Sequence, residues 1–229
     1  VNLAEFFEKK GEPTCFPTPH EVEDESFAVS DLYDVGLAIT LKNKVVGNDA
    51  NADGKSLVVI TGPNTGGKST FLRSAGLAQM MMQAGMFVGA RRYDASVCHG
   101  LHTHYKREED TGMVGGKFDE EVARMSEIVD HIQPYAMLLS NESFSSTNER
   151  EGSEIGRMIF STLLAQKVRV LCVTHMYALA QAFYADRKNA LFLRAARAED
   201  GTRSFKLAEG EPLPTSFGDD LYKRIFVAA

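Results

Sequence analysis

The chain has 229 residues, 44% of them hydrophobic, and a formal net charge of −6. That is enough apolar material for one large α/β domain, and the acidic balance excludes a general basic field for gripping nucleic acid while leaving room for a local patch. No apolar run approaches the roughly 18 residues of a membrane span, no signal-peptide pattern opens the chain, and Cys15, Cys98 and Cys172 lack C-x-x-C spacing, so a soluble, cytoplasmic protein with no membrane partner is expected.

Residues 1–25 are polar and dotted with Pro13, Pro17 and Pro19, and they read as an irregular lead-in from an upstream region, with one short helix around Leu3–Lys9. The main domain is expected over 26–229. Phe27-Ala28-Val29 and Leu37-Ala38-Ile39 are apolar clusters of strand length, and the turn signals Gly47-Asn48-Asp49 and Asp53-Gly54 lead into the apolar run Leu57–Thr61.

Directly after that run comes Gly62-Pro63-Asn64-Thr65-Gly66-Gly67-Lys68-Ser69-Thr70, which satisfies G-x-x-x-x-G-K-[ST] between a predicted strand and a predicted helix. Glycines here let backbone N–H groups turn onto phosphate oxygens, and the helix N-terminus adds its positive end. Lys68 supplies a point charge for the β- and γ-phosphates, and the Ser69 hydroxyl is placed to ligate Mg²⁺. The pattern predicts a nucleoside triphosphate site.

From Ser69 to Ala84 helix formers recur at near-helical spacing, and Gly85 ends them. Met86–Val88 and Val97–Tyr105 read as short strands. In the second, His102 and His104 share a face about 6.6 Å apart, a spacing open to a metal, although ordinary structural histidines are the default and Cys98 lies too far along. Lys106–Asp110 is a solvated charge run; Gly112, Gly115 and Gly116 then precede a helix over Phe118–His131. Tyr135–Ser140 has the apolar look of a doubly buried strand and ends in Asn141-Glu142. Glu142 can orient or deprotonate water, whereas Asn141 brings a metal-site oxygen without negative charge. Gly152–Gln166 reads as a helix and Val168–Val173 as another buried strand, with Thr174-His175 just past its end, the edge where open parallel sheets place ligands. Leu191–Arg197 and Ser204–Leu207 flank a hairpin-like Asp200-Gly201, and Tyr222–Phe226 is a short, partly apolar segment.

The Thr61–Thr70 stretch, with Thr174-His175 downstream, resembles the ATPase domain of MutS-type mismatch-repair proteins, a branch of the ABC-type P-loop ATPases; the similarity runs from about Val45 to about Ala180. The resemblance implies an α/β fold with a mostly parallel central sheet flanked by helices and an antiparallel β element. It implies ATP and Mg²⁺ as cofactors, Asn48 and Val45 beside the adenine, Ser69 and Asn141 at the metal, and Lys68, Glu142 and His175 as the catalytic set. It further implies that Gly115, Gly116, Lys117, Phe118 and Glu121 form a signature loop reaching a partner subunit's nucleotide. Ser145, Ser146, Thr147 and Asn148 would lie across the interface of a homodimer, with DNA handled by regions outside this chain. The family usually has Asp where this chain has Asn141 and a serine-containing loop where it has Gly116-Lys117, so a divergent branch with slow ATP hydrolysis is expected. A nucleotide-gated dimerisation scaffold with little hydrolysis is the alternative, and a small-molecule kinase is a weaker third reading.

Overall fold

In a computed structural model, which describes residues 2–107, 116–185, 189–197 and 203–214, the chain forms a mixed α/β structure around a six-stranded, parallel-rich sheet. The elements run α1 (Leu3–Lys10), β1 (Thr18–His20), β2 (Phe27–Leu32), α2 (Val35–Thr40), β3 (Asn48–Asn51), β4 (Leu57–Thr61), α3 (Lys68–Gln83), β5 (Arg92–Ser96) and β6 (Leu101–Tyr105). They continue as α4 (Lys117–His131), β7 (Met137–Asn141), α5 (Glu149–Ala165), β8 (Arg169–Val173), α6 (Tyr177–Tyr184), β9 (Ala190–Arg197) and β10 (Arg203–Glu209). The large sheet has the order β10-β9-β4-β8-β7-β6, and only the β9–β10 pair is antiparallel. A second sheet, β1-β5-β2-β3, is mixed.

Alternation along the central strands builds a separate core on each face. Val58 and Ile60 of β4 point into a cluster with Phe71, Leu72 and Ala75 of α3 and with Phe27 and Tyr93 of the small sheet. Leu57 and Val59 point the other way, against Met125 of α4, Phe160 and Leu163 of α5 and Leu179 of α6. Because both faces are covered, β4 and β8 carry near-continuous apolar runs, and each fully buried Val, Leu or Ile contributes about 1.5–3 kcal/mol. Residues of the opening segment join this structure: β1 lies parallel to β5, and Phe7 is buried with Tyr33, Ala38 and Val45.

The segment Leu37-Ala38-Ile39, expected as a strand, is helical. Asp34 is the reason: its Oδ1 accepts the Leu37 N–H at 2.9 Å and caps α2. Met86–Val88 forms no strand beyond the bridge of Val88 to Cys15, and the expected strand at Val97–Tyr105 begins only at Leu101. Arg92–Ser96 pairs as β5 although its polar residues hide the pattern. Both ring nitrogens of His104 are engaged, Nδ1 with Ser143 Oγ at 2.6 Å and Nε2 with the Glu121 carbonyl at 2.9 Å, and burial lowers its pKa. Glu108–Gly115, Asp200-Gly201 and Tyr222–Phe226 lie outside the described residues. Among the described residues no helix is long and apolar enough to cross a membrane.

Candidate functional site

Strand register gathers the site. Ile60 of β4 and Asn141 of β7 are both paired with Val173 of β8, and Thr61 is paired with Arg194 of β9. The segments that leave these parallel strands therefore emerge side by side at one carboxyl edge, where open parallel sheets leave a crevice. They are the glycine-rich loop 62–67, the turn at Glu142 and the pair Thr174-His175.

The loop is pressed close to its neighbours. A Cβ on Gly66 would lie 2.7 Å from the Ala195 side chain, and Gly67, at φ 89°, turns the chain into α3 in a conformation that side chains rarely adopt. Lys68, the first residue of α3, is 4% exposed and folds back over the loop, where its Nζ donates to the carbonyls of Gly62 at 3.0 Å and Pro63 at 2.8 Å. Burial lowers its pKa to about 8, against the opposing pull of the Glu142 carboxylate. One helical step on, the Ser69 hydroxyl donates to Asn141 Oδ1 at 2.7 Å, so these two oxygens are neighbours. Thr65 sits at φ 56° with its hydroxyl on the Asn64 carbonyl, which also accepts from Arg203.

Glu142 takes a left-handed backbone, φ 57°, directly after β7. That turn brings its Oε1 to 3.1 Å from His175 Nε2, past the end of β8. The hydrogen bond from His175 holds the Glu142 carboxyl below the usual carboxylate range, with burial opposing and the charges of His175 and Lys68 assisting. Glu142, His175, Lys68, Ser69 and Asn141 thus come from the start of α3 and the ends of β7 and β8 to one edge. The set contains a carboxylate kept ionised, an imidazole that orients it, a buried cation and two neutral oxygens.

Beside the loop opens a cavity of about 420 Å³, lined by Leu37, Leu41, Val45, Asn48, Thr70 and Phe205 among others. Val45 and Asn48, singled out in the sequence, both reach it, but Asn48 is 4% exposed and its side chain is spent on β10. Its Nδ2 donates to the Phe205 carbonyl at 3.1 Å and its Oδ1 accepts the Leu207 N–H at 2.7 Å. This clamp coincides with a register shift in β10 and with φ 56° at Phe205, and it sets that ring at the cavity. Sequence reasoning missed Phe205, because a lone aromatic in a strand pattern carries no signal of where the strand's bulge falls.

The residues expected to face a partner divide. Gly115 lies outside the described residues, Gly116 caps α4, Lys117 begins it and Phe118 packs against the core under α4 and α5. Glu121 turns inward instead of outward: it is 2% exposed and its Oε1 accepts the Phe144 N–H at 2.8 Å, which ties α4 to the turn after Glu142. In the 145–148 stretch, the Ser145 hydroxyl donates to the Glu142 carbonyl at 2.7 Å and the Ser146 hydroxyl is buried. Thr147 donates to Glu151 at 2.9 Å, and Asn148 caps α5 by accepting the Glu151 N–H at 3.0 Å.

Known proteins are similar in sequence to this chain. The chain is 33% identical over 129 residues to "DNA mismatch repair protein MutS" of Synechococcus sp., covering 56% of this chain and 15% of that protein. It is 28% identical over 156 residues to "MutS protein homolog 4" of Mus musculus (67% and 16%) and 28% identical over 136 residues to "Endonuclease MutS2" of Leuconostoc citreum (58% and 17%). The matched stretch is thus 15–17% of the length of these relatives. The family model described as MutS domain V matches residues 58–219, which take in the glycine-rich loop, Asn141-Glu142, His175 and Phe205. With that model spanning more than half of its length, the chain belongs to the MutS domain V family.

Proposed function

We propose that this chain is a P-loop ATPase domain of the ABC type, which binds ATP with Mg²⁺ and hydrolyses it slowly. In this reading it works as half of a cytoplasmic dimer whose DNA-handling regions lie elsewhere in a longer protein. The observation that carries the reading is the convergence of Lys68, Ser69–Asn141 and Glu142–His175 on the glycine-rich loop at one sheet edge. The triphosphate follows the loop, and the base enters the cavity between Val45 and Phe205. Lys68, released from the Gly62 and Pro63 carbonyls, stabilises the charge that develops on the γ-phosphate. Glu142, oriented by His175, aligns a water for in-line attack; the water oxygen bonds to γ-phosphorus, the bond to the ADP oxygen breaks and the water proton passes to the carboxylate.

Ser69 Oγ and Asn141 Oδ1 fit a hard cation, being neighbouring oxygens of the kind Mg²⁺ takes, and they would hold it together with phosphate oxygens. When bound, the ion supplies charge neutralisation on the β- and γ-phosphates. Their neutrality leaves Glu142 as the one carboxylate of the set, which accounts for the expectation of slow turnover.

Lys68→Ala is expected to abolish tight ATP binding, while Glu142→Gln keeps binding and stops phosphate release. Equal turnover by Glu142→Gln and the parent protein refutes the water-activating role. Asn141 favours one second reading, a scaffold in which ATP drives association and hydrolysis is incidental. ATP-dependent dimerisation with phosphate release no faster than background would select it.

A further inference from the structure

We infer that Lys10 and Glu12, at the end of α1, are positioning residues for the base-side wall of the cavity, holding Leu41 and Val45 where a nucleotide base must pack. The inference rests on the nucleotide reading above. The wall segment 41–47 has no helix or strand of its own, and Leu41 and Val46 are exposed. Such a segment holds one shape only if its backbone polar groups are tied down from outside.

The ties come from 28 to 33 residues upstream. Lys10 Nζ donates to the Leu41 carbonyl at 2.6 Å and to the Ala38 carbonyl, gripping the last turn of α2. Glu12, 3% exposed, accepts the Val45 N–H on Oε1 at 2.7 Å, and its Oε2 has no hydrogen-bond partner among the described residues. A buried carboxylate is costly, and this one spends itself on a single backbone N–H at the cavity wall. Gly11 makes that possible. At φ 73° it closes α1, with the Glu12 N–H on the Phe7 carbonyl at 2.9 Å, and turns the chain so that the next side chain enters the interior. Phe7, buried with Tyr33, Ala38 and Val45, seats the helix against the same wall.

The clamp touches the base side of the cavity; the phosphate loop takes its contacts from Ala195, Phe205 and Arg203. Loss of the clamp should therefore weaken ATP and spare a ligand made only of phosphates. In the intact chain, Glu12→Ala is expected to weaken ATP binding about tenfold, the scale of one hydrogen bond, while inorganic tripolyphosphate binding stays within about twofold. Glu12→Gln, which keeps a carbonyl oxygen for the Val45 N–H, restores ATP binding, and Lys10→Met repeats the selective loss. Equal weakening of ATP and tripolyphosphate, or no weakening of either, overturns the inference. Should Glu12→Ala fail to fold, Lys10→Met decides alone by the same comparison. If the parent chain binds neither ligand, or if Lys68→Ala weakens neither, the nucleotide reading itself falls and takes this inference with it.

Discussion

Lys68 carries the prediction with the clearest sign. In the structure its amine is buried against two carbonyls, and burial lowers its pKa from lysine's ordinary 10.5 to about 8. A triphosphate needs the ammonium form, and its own terminal phosphate, with a pKa near 6, stays ionised throughout alkaline pH. Above pH 8 each bound ATP must therefore first reprotonate Lys68. The apparent affinity then falls up to tenfold per pH unit, about thirtyfold between neutral pH and pH 9.5. Folding stability runs in the opposite direction. Between about pH 8 and 10.5 the unfolded chain holds a proton that the folded chain has released, so this group's contribution to stability rises across that window, by roughly 3 kcal/mol at most. Titration with a fluorescent ATP analogue from pH 7 to 9.5 measures the first effect, and Lys68→Arg, which keeps its proton over that range, is the control. A flat profile in the parent protein, or the same slope in Lys68→Arg, refutes the reasoning.

Two further predictions test the geometry around Glu142 and the Ser69–Asn141 pair. A Cβ on Gly152 would lie 2.2 Å from the Phe144 carbonyl oxygen, a backbone atom that cannot step aside, so Gly152→Ala must push α5 away from the turn that carries Glu142. A loss of about 1–3 kcal/mol in thermal or denaturant unfolding is expected, with phosphate release falling more than ATP binding; unchanged stability would contradict the contact. Asn141→Asp places a carboxylate beside Ser69, and the Mg²⁺ concentration needed for half-maximal ATP binding should drop roughly tenfold; an unchanged Mg²⁺ requirement removes Asn141 from the metal site.

Much of the site was legible before any tertiary information because its signals are local. The glycine-rich loop needs a strand before it and a helix after it, and both follow from the apolar run Leu57–Thr61 and the proline-free stretch beyond. Glu142 and His175 could be placed at strand ends because β7 and β8 are buried on both faces and so show unbroken apolar runs. Leu37–Ile39 misled because three apolar residues satisfy either period, and the Asp34 cap that decides between them is a single side chain. Strand β5 was missed for a different reason: only Tyr93 and Ala95 mark its apolar face, too few to set a period.

What the sequence determined by itself is the chemistry available: a glycine-rich loop with its lysine, a hydroxyl, an amide, a carboxylate and an imidazole, each at the end of an element that local pattern defines. Only the tertiary structure decided which of them meet. Strand register brings Ile60, Asn141 and Val173 into line and so sets Lys68, Asn141, Glu142 and His175 on one edge. Contacts across long stretches of chain did the rest: Asn48 clamps Phe205 at the cavity, Glu121 turns in to hold Phe144, and Glu12 reaches Val45. Each rests on one or two hydrogen bonds between residues far apart in sequence, a relation that composition, periodicity and spacing do not encode because it depends on how the two sheets and their helices pack.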